Sequence, residues 1–91
     1  MNLHIRHKRR REEEDAYHMR LREQITNILR IHFRFREEHF RQIAGVMRNT
    51  NRLRALNEKI GMLWDHLGNA KCEVKDVTLW ALTSIRNAFP D

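Results

Sequence analysis

Six histidines and one cysteine are the residues of this 91-residue chain that could bind a metal ion or act as nucleophiles. His32 and His39 are seven residues apart, about 10.5 Å along a helix axis, which is too far for two ligands of one ion. His4 and His7 have an i,i+3 spacing but no third ligand nearby, and Cys72 has no second cysteine with which to form a C-x-x-C pair. We therefore predict no metal site, no cofactor and no catalytic residue.

Arginine is the other abundant side chain with a defined chemistry. Residues 1–54 hold 14 Lys and Arg against 7 Asp and Glu, a net charge of +7, whereas residues 55–91 hold 4 against 5. Thirteen of those 14 cations are arginine, whose planar guanidinium donates two parallel hydrogen bonds to phosphate or carboxylate. This favours a regulator that binds nucleic acid or a nucleoprotein complex. The residues predicted to bind it are Arg9, Arg10, Arg11, Arg30, Arg34, Arg41 and Arg48.

The same charges have a second interpretation as a solvated surface. The tract HKRRR precedes EEED, so that each cation from Lys8 to Arg11 has a carboxylate four residues later. Such pairs stabilise a helix by only a few tenths of a kcal/mol. Glu37 and Arg41 form another i,i+4 pair, on the same face as Arg30 and Arg34. Both interpretations stay open at this point.

One proline, three glycines and no regular turn signals predict an all-α chain. Residues 1–91 should form one helical domain with a flexible basic arm over 1–11 and a long N-terminal helix over about 12–47. Two shorter helices should follow, over about 51–67 and 74–88. The third is lined by apolar residues at helical spacing, and the second has a seam at spacings of 3 and 4: Leu53, Leu56, Ile60, Leu63 and Leu67.

The stretch ILRIHFRFREEHFRQI, residues 28–43, alternates apolar and polar residues between Ile31 and Arg36, as a strand would. We predict that it is helical, because the helical pattern holds over about 30 residues. Heptad positions then place His18, His32 and His39 on an otherwise apolar seam, and the helical winding adds Arg36 to this polar layer. Polar seam positions often fix the register of a coiled coil, so we predict a homodimer through the first helix. A dimer held by histidines would also respond to pH.

Two alternatives stay open beside the binder of nucleic acid. Helices 2 and 3 could fold back along helix 1 and cover its seam within one chain. The function could instead be that of a protein-only inhibitor or adaptor, of the kind found in phages and mobile elements. Its contact would use exposed apolar residues such as Trp64, Trp80 and Phe89, if these do not pack in the core.

The order of one long and two shorter helices, together with LREQI at residues 21–25, resembles the all-helical chorismate mutases. The resemblance implies a helical enzyme that binds a dicarboxylate through cationic residues. In that family a second arginine follows the first by 17 residues and a lysine follows 11 later, and these positions here are His39 and Thr50. Because both cations are missing, an enzyme is not predicted.

The sequence also bears on location. The basic start is followed by an acidic run and not by an apolar segment, so no secretory signal is predicted. No apolar stretch approaches the length needed to span a bilayer. We expect a soluble cytoplasmic protein without a membrane partner.

Overall fold

The computed structural model describes the backbone of residues 3–69 and 74–90, and the side chains of residues 10–69 and 74–90. Within these ranges the chain forms five helices and no strand, so it is all-α. The helices are α1 (Leu3–Phe33), α2 (Glu37–Gln42), α3 (Ala44–Met47), α4 (Thr50–Asn69) and α5 (Val77–Ala88).

Helix α1 runs up the bundle, the segment α2–α3 runs down, α4 runs up and α5 runs down. His18 contacts Thr50 and His32 contacts Trp64. Both pairs are 32 residues apart in sequence, so α1 and α4 run in the same direction. The segment α2–α3 carries the chain back between them, over a distance of about 21 Å. Thr78, in the first turn of α5, contacts the end of α1, and Arg86 near its end contacts Gln42, so α5 also runs back down.

The prediction of one helix over residues 12–47 is wrong at both ends. Helical backbone begins at Leu3, so the predicted flexible arm is helical from that residue onward, and Met1 and Asn2 lie outside the described residues. At the other end, α1 stops at Phe33 because Arg34 adopts φ 56°, the left-handed conformation that terminates helices. The Phe35 amide then donates a hydrogen bond of 2.9 Å back to the Leu29 carbonyl.

This break explains the alternation between Ile31 and Arg36. Phe33 and Phe35 are both buried, although two residues apart, whereas Ile31 is 72% exposed and Arg34 and Arg36 are exposed. A continuous helix would turn Phe35 about 200° away from Phe33. The non-helical residues 34–36 instead direct both rings into the same core.

The core is apolar throughout the described residues, with no buried polar or charged residue. Each of α1, α3, α4 and α5 contributes to it, as do the connecting residues Phe35 and Ile43. The seam predicted for the second helix is confirmed, since its first four members are buried and Leu67 is half-buried. The buried residues are Leu21, Ile25, Leu29, Phe33, Phe35, Ile43, Val46, Met47, Leu53, Leu56, Ile60, Leu63, Ala81, Leu82 and Ile85.

Side-chain caps fix the starts of the last two long helices. The Asn49 side-chain oxygen accepts a hydrogen bond from the Arg52 amide at 3.1 Å, and Asp76 accepts one from the Leu79 amide at 3.0 Å. Asn and Asp are favoured caps because they satisfy amides that have no partner in the helix. The second predicted helix, over about residues 51–67, corresponds to α4, which the structure describes from Thr50 to Asn69.

The molecule is elongated, with extents of 60 × 25 × 22 Å. Its radius of gyration is 16.0 Å, whereas a compact chain of this length would have about 12 Å. Helix α1, at 31 residues, is about 46 Å long, so this one helix spans most of the longest extent. In the described part of the chain, no helix combines the length and the apolar character needed to cross a membrane.

Candidate nucleic-acid interface

Every arginine whose side chain is described is exposed to solvent. These arginines lie on α1, α2, α4 and α5 and on the connections between helices. Among the residues with described side chains, one ion pair links an arginine to a carboxylate, between Arg41 and Glu37 at 3.3 Å. Both partners are more than 70% exposed, so this pair adds little to stability. The exposed arginines are Arg10, Arg11, Arg20, Arg22, Arg30, Arg34, Arg36, Arg41, Arg48, Arg52, Arg54 and Arg86.

The three arginines of the basic tract lie in the first turns of α1. Arg10 and Arg11 are exposed on this helix, and Arg9 lies outside the residues with described side chains. The next residues, Glu12–Asp15, are also exposed. The charge of the helix surface therefore changes sign between Arg11 and Glu12.

The predicted helix over residues 12–47 would carry Arg30, Arg34, Arg41 and Arg48 together, but in the structure these arginines do not lie along one helix. Arg30 lies on α1, Arg41 on α2 and Arg48 at the end of α3. The predicted arrangement requires a straight helix, whereas the chain reverses after Arg34. Arg30 is brought over the ring of Phe40, 5.4 Å from its centroid, which is a cation–π contact between α1 and α2.

An open cleft of about 400 Å³ at the upper end of the bundle brings together residues from two of the predicted sets. Arg34, Arg36 and His39 line it, opposite Asp76 and Thr78 at the start of α5. His39 accepts a hydrogen bond of 2.8 Å from the Arg36 amide through its Nδ1 atom, so it caps α2. Because Glu38 and Asp76 also line this cleft, two carboxylates offset the two guanidinium groups.

The predicted polar layer is not a single layer, because its members lie in three separate places. His18 is half-buried and its Nδ1 is hydrogen-bonded to the Thr50 hydroxyl at 2.7 Å. His32 is exposed and packs edge-on against Trp64, with ring centroids 4.6 Å apart. Arg36 and His39 are at the start of α2. The break after Phe33 separates Arg36 and His39 from the two histidines on α1, so the four residues do not form one continuous seam.

A cleft of about 520 Å³ at the lower end was missed from the sequence. Tyr17 and Arg54 meet there in a cation–π contact, 5.0 Å from guanidinium carbon to ring centroid, and Arg10, Glu13 and Glu14 also line the cleft. Tyr17 is 37% exposed. The register that pairs it with Arg54 depends on the reversal of the chain between α1 and α4, which the apolar pattern does not encode.

A groove of about 450 Å³ between α1 and α4 has a lining that is more apolar than polar. It is lined by Ile28, His32, Asn57, Ile60, Gly61 and Trp64. Trp64 is 49% exposed. Trp80 and Phe89, the other apolar residues predicted for a protein contact, pack against the core instead.

The described residues contain no group of three His, Cys, Asp or Glu side chains placed to hold a metal ion. Cys72 lies outside the described residues. No protein-family model, curated protein or solved structure matches this chain. The resemblance to the chorismate mutases therefore still depends on LREQI and the helix order. At the two positions where that family has cations, His39 caps α2 and Thr50 forms a hydrogen bond with His18.

Proposed function

We propose that this protein is a non-enzymatic nucleic-acid-binding module that acts through its arginine-rich surface. The observation that carries the proposal is the exposure of all twelve described arginines, with one ion pair among them. Exposed guanidinium groups can replace the counterions of a polyanion, and the release of those counterions drives association. Arginine also suits phosphate better than lysine does, because its fork donates two hydrogen bonds.

The distribution of these arginines favours contacts to phosphate over the reading of bases. The described arginines lie on several helices and on the connections between them. Contacts to phosphate position a protein on nucleic acid without reading its sequence. We therefore expect binding with little sequence preference and a strong dependence on salt.

The direct test is fluorescence anisotropy with labelled random-sequence DNA and RNA over a series of NaCl concentrations. The logarithm of the association constant should fall linearly with the logarithm of salt, with a slope of about −0.9 for each phosphate neutralised on duplex DNA. If each of the seven arginines predicted from the sequence neutralises one phosphate, seven is the largest number of phosphates that we expect to be neutralised. Failure to bind either polymer at about 50 mM salt would exclude the proposal.

A second candidate function is a protein contact through the apolar groove between α1 and α4. The observation that favours it is the exposure of Trp64, since tryptophan is enriched among the residues that dominate binding energy. The occupant would be another protein, or a second copy of the chain as the predicted homodimer requires. Most of the seam predicted to form a homodimer is covered by the chain itself, but Ile28 and His32 still line this groove.

One experiment separates the two functions. The protein is used to capture partners from host lysate with and without nuclease treatment. Partners that are lost after nuclease treatment support the binder of nucleic acid. A protein that is retained after nuclease, and lost when Trp64 is replaced by alanine, supports an inhibitor or adaptor acting through the groove.

A further inference from the structure

The lower cleft, with a volume of about 520 Å³, lies at the lower end of the bundle between α1 and the first turns of α4. This volume is in the range of pockets that hold small organic ligands. All of its lining residues are exposed except Thr50, which is half-buried, so a ligand can reach their side chains from solvent. They are Arg10, Glu13, Glu14 and Tyr17 of α1 and Thr50, Asn51 and Arg54 of α4.

Tyr17 supplies the lower cleft with an exposed aromatic ring. The guanidinium carbon of Arg54 lies 5.0 Å from the centroid of this ring, so an aromatic face and a planar cation are neighbours there. Nucleobases stack on both kinds of surface. Trp64 is also an exposed aromatic residue, but the described lining of its groove contains no arginine. The lower cleft therefore offers stacking and phosphate contacts in one place.

The charged groups of the lower cleft have both signs. Arg10 and Arg54 contribute two guanidinium groups, and Glu13 and Glu14 contribute two carboxylates. Among the described side chains, none of these four groups forms an ion pair with another. Guanidinium groups attract phosphate, and carboxylate oxygens accept hydrogen bonds from the amino groups of adenine, cytosine and guanine. A nucleotide therefore matches both signs of charge, whereas a ligand made of phosphate alone would be repelled by the two glutamates.

We propose that the lower cleft binds a nucleotide of a single-stranded nucleic acid, with the base stacked on Tyr17 and the adjoining phosphates at Arg10 and Arg54. An interior base of a duplex has both faces covered by its neighbours, whereas the bases of a single strand are free to stack on a protein side chain. Stacking on an aromatic ring tolerates every base, because each has a π face. This agrees with the weak sequence preference expected above. The inference rests on the nucleic-acid binding proposed above, and it names single strands as the preferred form.

The test uses the full chain and a labelled mixed-sequence DNA strand of about 12 nucleotides, alone and paired with its complement, in fluorescence anisotropy. The single strand should bind at least as tightly as the duplex, although the duplex has the higher charge density. Tyr17→Leu removes the ring and should weaken binding of the single strand about 5-fold or more, and that of the duplex by less than about 2-fold. Tyr17→Phe keeps the ring and should bind the single strand within about 2-fold of the unaltered protein. Thermal unfolding of both variants should stay close to that of the unaltered chain, since Tyr17 is exposed.

Arg54→Gln and Arg52→Gln form a matched pair, because both arginines are exposed on α4 and only Arg54 lines the lower cleft. Arg54→Gln should weaken binding of the single strand about 5-fold or more, since it removes a charged hydrogen-bond donor to phosphate. Arg52→Gln should weaken it by less than about 3-fold, because salt screens an exposed charge outside the site. Tighter binding of the duplex, equal losses of Tyr17→Leu on both forms of DNA, or equal losses in the two arginine variants would overturn the site while nucleic-acid binding stands. Failure of the unaltered protein to bind either form would overturn both proposals.

Discussion

The hydroxyl of Thr78 donates a hydrogen bond of 2.6 Å to the main-chain carbonyl of Phe33. Phe33 is the last residue of α1, so its carbonyl has no acceptor role within the helix. Thr78 is half-buried in the first turn of α5. This one bond therefore satisfies the end of the first helix and attaches the last helix to it.

We expect Thr78→Val to lower the free energy of unfolding by about 1–2 kcal/mol, because it leaves the half-buried Phe33 carbonyl without its donor at nearly unchanged volume. Urea unfolding followed by circular dichroism measures the change. Thr78→Ser keeps the hydroxyl and is the control, and it should lose less than the valine variant. Equal losses for both would mean that the methyl group, and not the hydrogen bond, matters at this position.

Arg34 gives a second prediction, because a side chain in the left-handed conformation is strained. Arg34→Gly should raise the free energy of unfolding by about 0.5–1 kcal/mol, since glycine adopts φ 56° without the clash of a Cβ atom. Arg48 ends α3 in the right-handed conformation, at φ −91°. Arg48→Gly should therefore lower stability by a few tenths of a kcal/mol or more, since glycine costs conformational entropy there. Thermal unfolding of both variants checks the opposite signs.

The reversal after Phe33 is the part of the fold that the sequence did not reveal. The residues that become buried were largely predictable, because period 3.6 identifies Leu21, Ile25 and Leu29 equally well in a helix of any length. The end of the helix was not, since Arg34 is neither glycine nor asparagine, the usual residues in the left-handed position. The helix ends there because tertiary packing buries Phe33 and Phe35 in the same core.

In the candidate site, too, some features were predictable from the sequence and others depend on tertiary packing. That the arginines are exposed follows from composition, since arginine is rarely buried without a partner. Which of them are neighbours depends on the reversal, so the contact of Arg54 with Tyr17 could not be derived from spacing along the chain. Pairing of His32 with Trp64 requires the parallel register of α1 and α4, and no local pattern specifies that register.

Burial of Phe33 gives a third prediction. Phe33→Ala should lower the free energy of unfolding by about 3–5 kcal/mol, because it removes a fully buried ring and leaves a cavity. This is a large share of the stability of a domain this small, so the cooperative thermal transition should weaken or vanish. Ile31→Ala, two residues earlier and 72% exposed, should change stability by less than about 0.5 kcal/mol. Similar effects of the two variants would contradict the burial of Phe33 and the exposure of Ile31.

The homodimer is a fourth prediction, and the groove between α1 and α4 allows a matched test. A second copy that covers this groove would bury Trp64, so Trp64→Glu should shift sedimentation equilibrium from two chains of 11.1 kDa each to one. Burying an unpaired carboxylate in an apolar contact costs several kcal/mol, which is enough to separate a weak dimer. Leu79 is 59% exposed and lies on α5, where it lines the upper cleft and not the groove of Trp64, so Leu79→Glu introduces the same charge elsewhere and should leave the mass unchanged. A single-chain mass for the unaltered protein at all concentrations would exclude the dimer and leave the groove to another protein. Dimers that persist in Trp64→Glu would place the contact on a different face.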